Sequence, residues 1–242
     1  MKKILILITV TIVAIGCQFN ETMVMNDDGT GVISVEANLS EMMAFGGSTF
    51  IDSSTIKMDT IIRMKQFLEE KKDSISKLSM NEQRKLKKLE NFNFHMLMNS
   101  ETSELVYKIT TEFTDVNEAN DIMNGLEQSS NLMPNKDAED SKKDSPEVVG
   151  VAYSYKNGVF KRDAFIKDKK GHQQQVDSLK KTEMFMGGSN YTLNYTFPRK
   201  IKKTSNPQAT FSEDKKTVIL QKPFIEYFKN PDVLDLEVEL ED

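Results

Sequence analysis

Runs in which apolar and polar residues alternate recur along this chain, and they limit its fold more than any other feature. Leu234, Leu236, Val238 and Leu240 alternate with Asp235, Glu237, Glu239 and Glu241, Tyr191, Leu193, Tyr195 and Phe197 alternate up to Pro198, and Phe92, Phe94, Met96 and Met98 do so earlier. Successive side chains of a strand point to opposite faces, so a period of two marks a strand with one buried face. Strands of a parallel sheet covered on both sides read instead as unbroken apolar runs. The alternation therefore predicts antiparallel hairpins, each with one side turned to a core.

The turns between these runs support that reading. Thr22 to Met25 and Val32 to Asn38 flank Asn26-Asp27-Asp28-Gly29-Thr30-Gly31, and Val149 to Tyr155 and Phe160 to Ile166 flank Asn157-Gly158. Asn-Gly supplies the two positive φ angles of a tight type I′ turn. Phe92 to Met98 turns through Asn99 to Ser103 into Leu105 to Phe113. Helical spacing is read over Met58, Ile61, Ile62, Phe67 and Leu68, behind the Ser79-Met80-Asn81-Glu82 capping box, and from about Gln173 to Met186. Asp115 caps a short helix carrying Val116, Ala119, Ile122, Met123 and Leu126. Further strands are expected near Ala209 to Phe211 and Thr217 to Leu220, with a helical turn around Phe224 to Phe228.

Hairpins interleaved with helices predict an α+β fold, several antiparallel β-hairpins packed with intervening helices. The expected parts are residues 17–128 and 148–242, joined by a polar stretch at 129–147 with few apolar anchors. Glu41-Met42-Met43-Ala44-Phe45-Gly46-Gly47-Ser48 looks like Glu183-Met184-Phe185-Met186-Gly187-Gly188-Ser189 with one residue deleted. Two similar halves would explain the pair; a helix ending on Gly explains each one separately.

Residues 1–16 are an export address. Lys2-Lys3 precedes the apolar run Ile4 to Val13, and Ala14-Ile15-Gly16-Cys17 follows. A basic start, an apolar stretch of roughly ten residues and small residues at its exit make a secretory signal peptide, too short to span a bilayer. The last four residues resemble the lipobox of bacterial lipoproteins, in which a small residue precedes an acylated Cys that becomes the new N-terminus. Cys17 is the one cysteine in 242 residues, so it has no internal disulfide partner.

The resemblance implies a lipid-anchored protein of the bacterial cell envelope, with a diacylglyceryl thioether and an N-acyl chain of the palmitate kind on Cys17. At about 0.8 kcal/mol per buried methylene, two or more chains hold such a protein permanently. Phe19 follows Gln18 where some inner-membrane lipoproteins carry Asp, which favours the outer membrane. Ala14 stands where the family usually has a large aliphatic. Ala14-Ile15-Gly16 also fits the small-x-small site of ordinary signal peptidase, so a secreted soluble domain is the alternative. The strand, Asp28-Gly29-Thr30-Gly31 turn and strand directly after the lipobox are similar to those of uncharacterised envelope lipoproteins of the LppM-like group.

Charge and composition narrow the function classes. With 32 Lys and Arg against 37 Asp and Glu, the net charge of −5 offers no basic excess for a nucleic-acid backbone. The two histidines, His95 in an alternating strand and His172 beside Gly171, sit in no nucleophile, zinc or phosphate motif. Paired carboxylates can run glycoside chemistry, but Asp27-Asp28 has a structural reason in its turn and the Asp235 to Asp242 series reads as a solvated strand face. Met23 and Met25, Met96 and Met98, and Met184 and Met186 each place two thioethers on one face if the segment is a strand, which would suit copper(I) with His95 beside the second pair. Methionine is also a flexible filler of apolar slots, the plainer reading. The expectation is a non-catalytic structural, binding or assembly role without a cofactor. Its partners would be the membrane through Cys17 and another envelope protein or a lipid, met by the acidic strand face, a sheet edge or the polar stretch. An envelope hydrolase and a copper-handling protein are the alternatives.

Overall fold

The computed structural model describes residues 16–44, 56–122, 148–179 and 183–242. The expected signal peptide, apart from Gly16, and the polar stretch at 129–147 lie outside the described residues, as do Met123 and Leu126 of the expected short helix.

The architecture is α+β, as the alternation predicts, with twelve strands in two sheets among the described residues. The larger sheet holds β1 (Gln18–Met25), β2 (Gly31–Asn38), β3 (Lys57–Arg63), β4 (Phe92–Asn99), β5 (Glu104–Phe113), β8 (Asn190–Thr196), β10 (Thr210–Phe211) and β11 (Thr217–Pro223). Its order is β10-β11-β8-β1-β2-β5-β4-β3. The smaller sheet holds β6 (Val149–Lys156), β7 (Val159–Ile166), β9 (Ile201–Thr204) and β12 (Leu236–Leu240), in the order β6-β7-β12-β9.

One pairing is parallel. β1 runs alongside β8, with Gln18 opposite Asn190 and Val24 opposite Thr196. Strands from before and after residues 129–147 thus share one sheet. The described elements also show no repeat of one part in the other: β1 to β5 all lie in the larger sheet, whereas β6 to β12 are divided between the two.

Several local expectations shift. Met58, Ile61 and Ile62 lie in strand β3, and the helix starts at Met64. Thr60-Ile61-Ile62 is a β-branched run that favours a strand, and pairing with β4 sets Met58 beside Met98 and Ile62 beside Phe94. Helices α1 (40–44), α2 (Met64–Glu70), α3 (Lys72–Ile75) and α4 (Met80–Lys88) follow in chain order. Ser79 caps α4 in a complete capping box with Glu82. The helix expected near Gln173 to Met186 is two elements, α5 (Lys169–Leu179) and α6 (Glu183–Met186). Asp115 caps a 3-10 helix, Val116–Asp121. Asn157 and Gly158 take φ of 52° and 74°, the two positive angles of the β6–β7 turn. Helix α7 (Phe224–Lys229) and a 3-10 turn at Pro231–Leu234 lead into β12.

The core lies on the inner face of the larger sheet. Met23, Ile33, Ile109 and Leu193 of that face are fully buried, as are Phe160 and Val238 of the smaller sheet. Over β4 and β5 the cover comes from helices instead, through Met64 of α2 and Leu89 just past α4. The outer face carries Thr22, Ser34, Thr110, Asn194 and Ile219 in one cross-strand row, all half-buried or exposed.

Candidate functional site

Cys17 opens directly onto the sheet. Its carbonyl accepts from the Asn190 N–H at 3.2 Å, so the residue is fixed at the first rung of the β1–β8 pair. The side chain is 1% exposed, enclosed by the Met42 backbone of α1 and by Ser189. Burial pushes the thiol up from its ordinary range, against the Met42 backbone and the Ser189 hydroxyl, which lower it. Ser189 Oγ is itself 1% exposed and makes no hydrogen bond of full geometry; the neighbouring thiol is a weak partner for it.

Four residues along β1, Glu21 points into the core. The inward slots of this strand hold Phe19, Glu21, Met23 and Met25, so a carboxylate occupies a position the alternation reserves for an apolar group. From the opposing sheet Arg162 of β7 meets it, and both side chains are 0% exposed. Arg162 donates through Nε to Oε1 at 3.2 Å and through Nη2 to Oε2 at 3.1 Å. Tyr153 donates to Oε1 at 2.6 Å and Tyr191 to Oε2 at 2.8 Å, and the Tyr195 hydroxyl also donates to Oε1. Arg162 Nη1 donates to the Leu234 carbonyl at 3.2 Å.

Burial by itself raises the pKa of Glu21, but the Arg162 charge and the hydroxyl donors outweigh it and hold the carboxyl below its ordinary value. Burial, and then the Glu21 charge, push Tyr153, Tyr191 and Tyr195 well above the usual phenol range. The cluster is therefore an ionised pair ringed by neutral tyrosines. It is closed to solvent, which makes it a structural device tying β1 and β8 to β6 and β7.

The remaining candidates are not brought together. His95 Nε2 lies 2.7 Å from Asp59 on the outer face of the sheet, while Met96 and Met98 face inward with Phe92 and Phe94. Met23 and Met25 are sealed in the core, and the side chain of Met184 is outside the described residues. His172 Nε2 pairs with the Phe228 carbonyl at 2.8 Å. Asp28 is held in its turn by the Thr30 hydroxyl and N–H, which lower its pKa. Asp235 accepts from the Ala164 N–H at 2.8 Å on the other sheet. Among the described residues no three His, Cys, Asp or Glu side chains group as metal ligands. The acidic face of β12 is flanked by bases: Glu239 pairs with Lys202 at 2.6 Å and Lys203 at 3.7 Å, and Glu237 sits opposite Lys161.

A groove of about 750 Å³ opens at the far end of the larger sheet, by the β1–β2 turn. Its walls carry Arg63, Lys65, Glu69, Glu90, Glu112 and Glu118. No helix among the described residues is long and apolar enough to cross a membrane.

No protein-family model and no curated protein matches the chain. A solved structure similar to it is the folded domain of the Mycobacterium tuberculosis LppM protein, determined by NMR. That likeness has 5% identity and a TM-score of 0.36, over 93% of this chain and 91% of that one. No residue of this chain takes a role from it.

Proposed function

We propose that this protein is a membrane-anchored bacterial envelope lipoprotein, lipidated at Cys17, with a non-catalytic structural, binding or assembly role. The observation that carries this is Ala14-Ile15-Gly16-Cys17 placed directly behind the Lys2-Lys3 start and the Ile4 to Val13 run, with Cys17 the single cysteine of the chain. An anchor on Cys17 is continuous with β1, so the core network at Glu21 transmits that attachment to both sheets. The outer membrane is the proposed destination, from Gln18-Phe19 behind the Cys. Another envelope protein or a lipid is the proposed partner. The non-catalytic reading is supported by how the carboxylates are held: Asp28 and Asp235, of the two acidic groups weighed for glycoside chemistry, are tied to backbone N–H groups, and Glu21 is ion-paired in the core.

Fractionation with intact-mass analysis of the mature protein tests the anchor. The wild type is expected in the membrane fraction, starting at Cys17 and carrying acyl chains. Cys17→Ser is expected to lose both the added mass and the membrane association. A soluble, unacylated wild-type product would replace this reading with a secreted domain.

A further inference from the structure

We propose that the rim of the larger sheet around Cys17 is a membrane-contacting collar, seated on the headgroups and upper acyl region of a phospholipid bilayer. This inference rests on the lipid-anchor reading above and deepens it, because the fold decides which surface the anchor presses against the membrane.

No slack separates anchor from fold, since β1 begins at Gln18, one residue after Cys17. The first rungs of the larger sheet must then lie at the bilayer. Register identifies them. Gln18 pairs with Asn38 and Asn38 with Val106, and one step nearer the anchor the Leu39 N–H donates to the Leu105 carbonyl at 2.8 Å. Leu105 pairs with Met98 and Met98 with Met58. Helix α1 and the α6–Ser189 segment flank Cys17 on either side, so two segments of similar sequence, Glu41-Met42-Met43-Ala44 and Glu183 to Ser189, meet at the anchor.

This rim concentrates methionine. Met42, Met43, Met58, Met96, Met98 and Met186 all lie here, and all but Met43 are half-buried. Unbranched, polarisable side chains conform to an irregular apolar medium such as the upper acyl region. The opposite end of the same sheet is unsuited to it, because its groove carries Arg63, Lys65 and four glutamates.

The path of the lipid is marked as well. Gly16 is wedged against the second segment: a Cβ on it would lie 2.2 Å from the Gly188 carbonyl carbon. Cleavage before Cys17 removes Gly16 and opens a gap there, bordered by the buried Ser189 hydroxyl, which has the Cys17 thiol as a weak partner and no hydrogen bond of full geometry. A glyceryl oxygen on the Cys17 thioether would supply that hydroxyl with a proper partner.

The chain contains no Trp, so single tryptophans report position directly. Acylated Ala44→Trp, Met186→Trp and Val24→Trp proteins, each verified by intact mass, are placed in phosphatidylethanolamine–phosphatidylglycerol vesicles with and without brominated acyl chains. Ala44 is exposed on α1, and Val24, 47% exposed, lies seven residues up β1, about 23 Å from the anchor at 3.3 Å per residue. Ala44→Trp and Met186→Trp are expected to lose most of their emission to bromine while Val24→Trp keeps it. Equal emission of the two rim variants in both vesicle types, on protein proven to carry acyl chains, would overturn the collar and leave the anchor standing. Quenching of Val24→Trp to the same extent would overturn it too, since the sheet would then lie flat. A mass without acyl chains would remove the anchor itself, and the collar with it.

Discussion

The inner face of the larger sheet has two kinds of core. Over β4 and β5 it is hydrocarbon but for one hydroxyl: Phe92, Phe94, Ile109 and Phe113 join Met64 and Leu89 in the core, and the buried Thr111 among them donates to the Asn91 carbonyl at 3.2 Å. Over β1 and β8, a few strands away, the same face buries the Glu21–Arg162 ion pair and its three tyrosine donors. Apolar packing is non-directional, so the first region constrains volume more than position. A buried ion pair costs several kcal/mol per ion in desolvation and is tolerated only when its geometry satisfies both partners. The second region therefore fixes how two sheets, built from three separated chain segments, sit on one another. The first accepts any well-shaped filling.

The sharpest way to break this contrast is to remove one charge. Arg162→Met strands the Glu21 carboxylate in the core and is expected to destabilise the protein by about 3–5 kcal/mol in urea unfolding. Adding Glu21→Leu in the same chain is expected to restore most of that loss, because an apolar pair replaces a stranded ion. A double variant no more stable than the single one would show that the pair is irreplaceable in kind.

Alkaline pH attacks the same region through its tyrosines. Their folded pKa values are raised, so their contribution is complete below the unfolded value near 10 and is lost as pH rises beyond it toward the folded values. Tyrosinate absorbance should accordingly lag behind that of free phenol and then rise together with loss of the far-UV circular dichroism. Normal titration of all six tyrosines in the folded protein would contradict the sealed cluster.

Single hydroxyls come next. Tyr191→Phe removes one donor to the carboxylate and is expected to cost about 1.5–3 kcal/mol, the range for a hydrogen bond to a charged group. In the hydrocarbon region Ile109→Val should cost only about 0.5–1.5 kcal/mol. A larger effect from Ile109→Val than from Tyr191→Phe, measured by the same unfolding midpoint, would reverse the comparison.

Much of the fold was legible because most strands carry their own signal; β9 (Ile201–Thr204) carries too short a one to be read. The β4–β5 and β6–β7 hairpins and the acidic-faced β12 follow from period-two patterning and turn residues alone. Strand β3 was not, since Met58, Ile61 and Ile62 fit a helical spacing equally well until β4 pairs beside them. The buried pair had a trace in the sequence: Glu21 and Arg162 are opposite charges in inward slots, the first among Phe19, Met23 and Met25, the second between Phe160 and Ala164. Reading β1 from Thr22 instead of Gln18 leaves Glu21 outside the strand and hides its half of the trace.

By itself the sequence determined the local features, namely most of the strands, where the hairpins turn and the lipobox-like motif that ends in Cys17. These depend on neighbours within a few residues, and so periodicity, turn chemistry and a contiguous motif reveal them. Only the tertiary structure decided that β1 pairs with β8, that Glu21 meets Arg162 and that Ser189 lies against Cys17. Each of those joins residues well over a hundred positions apart. No local propensity encodes such contacts; the shared burial of many side chains at once selects them.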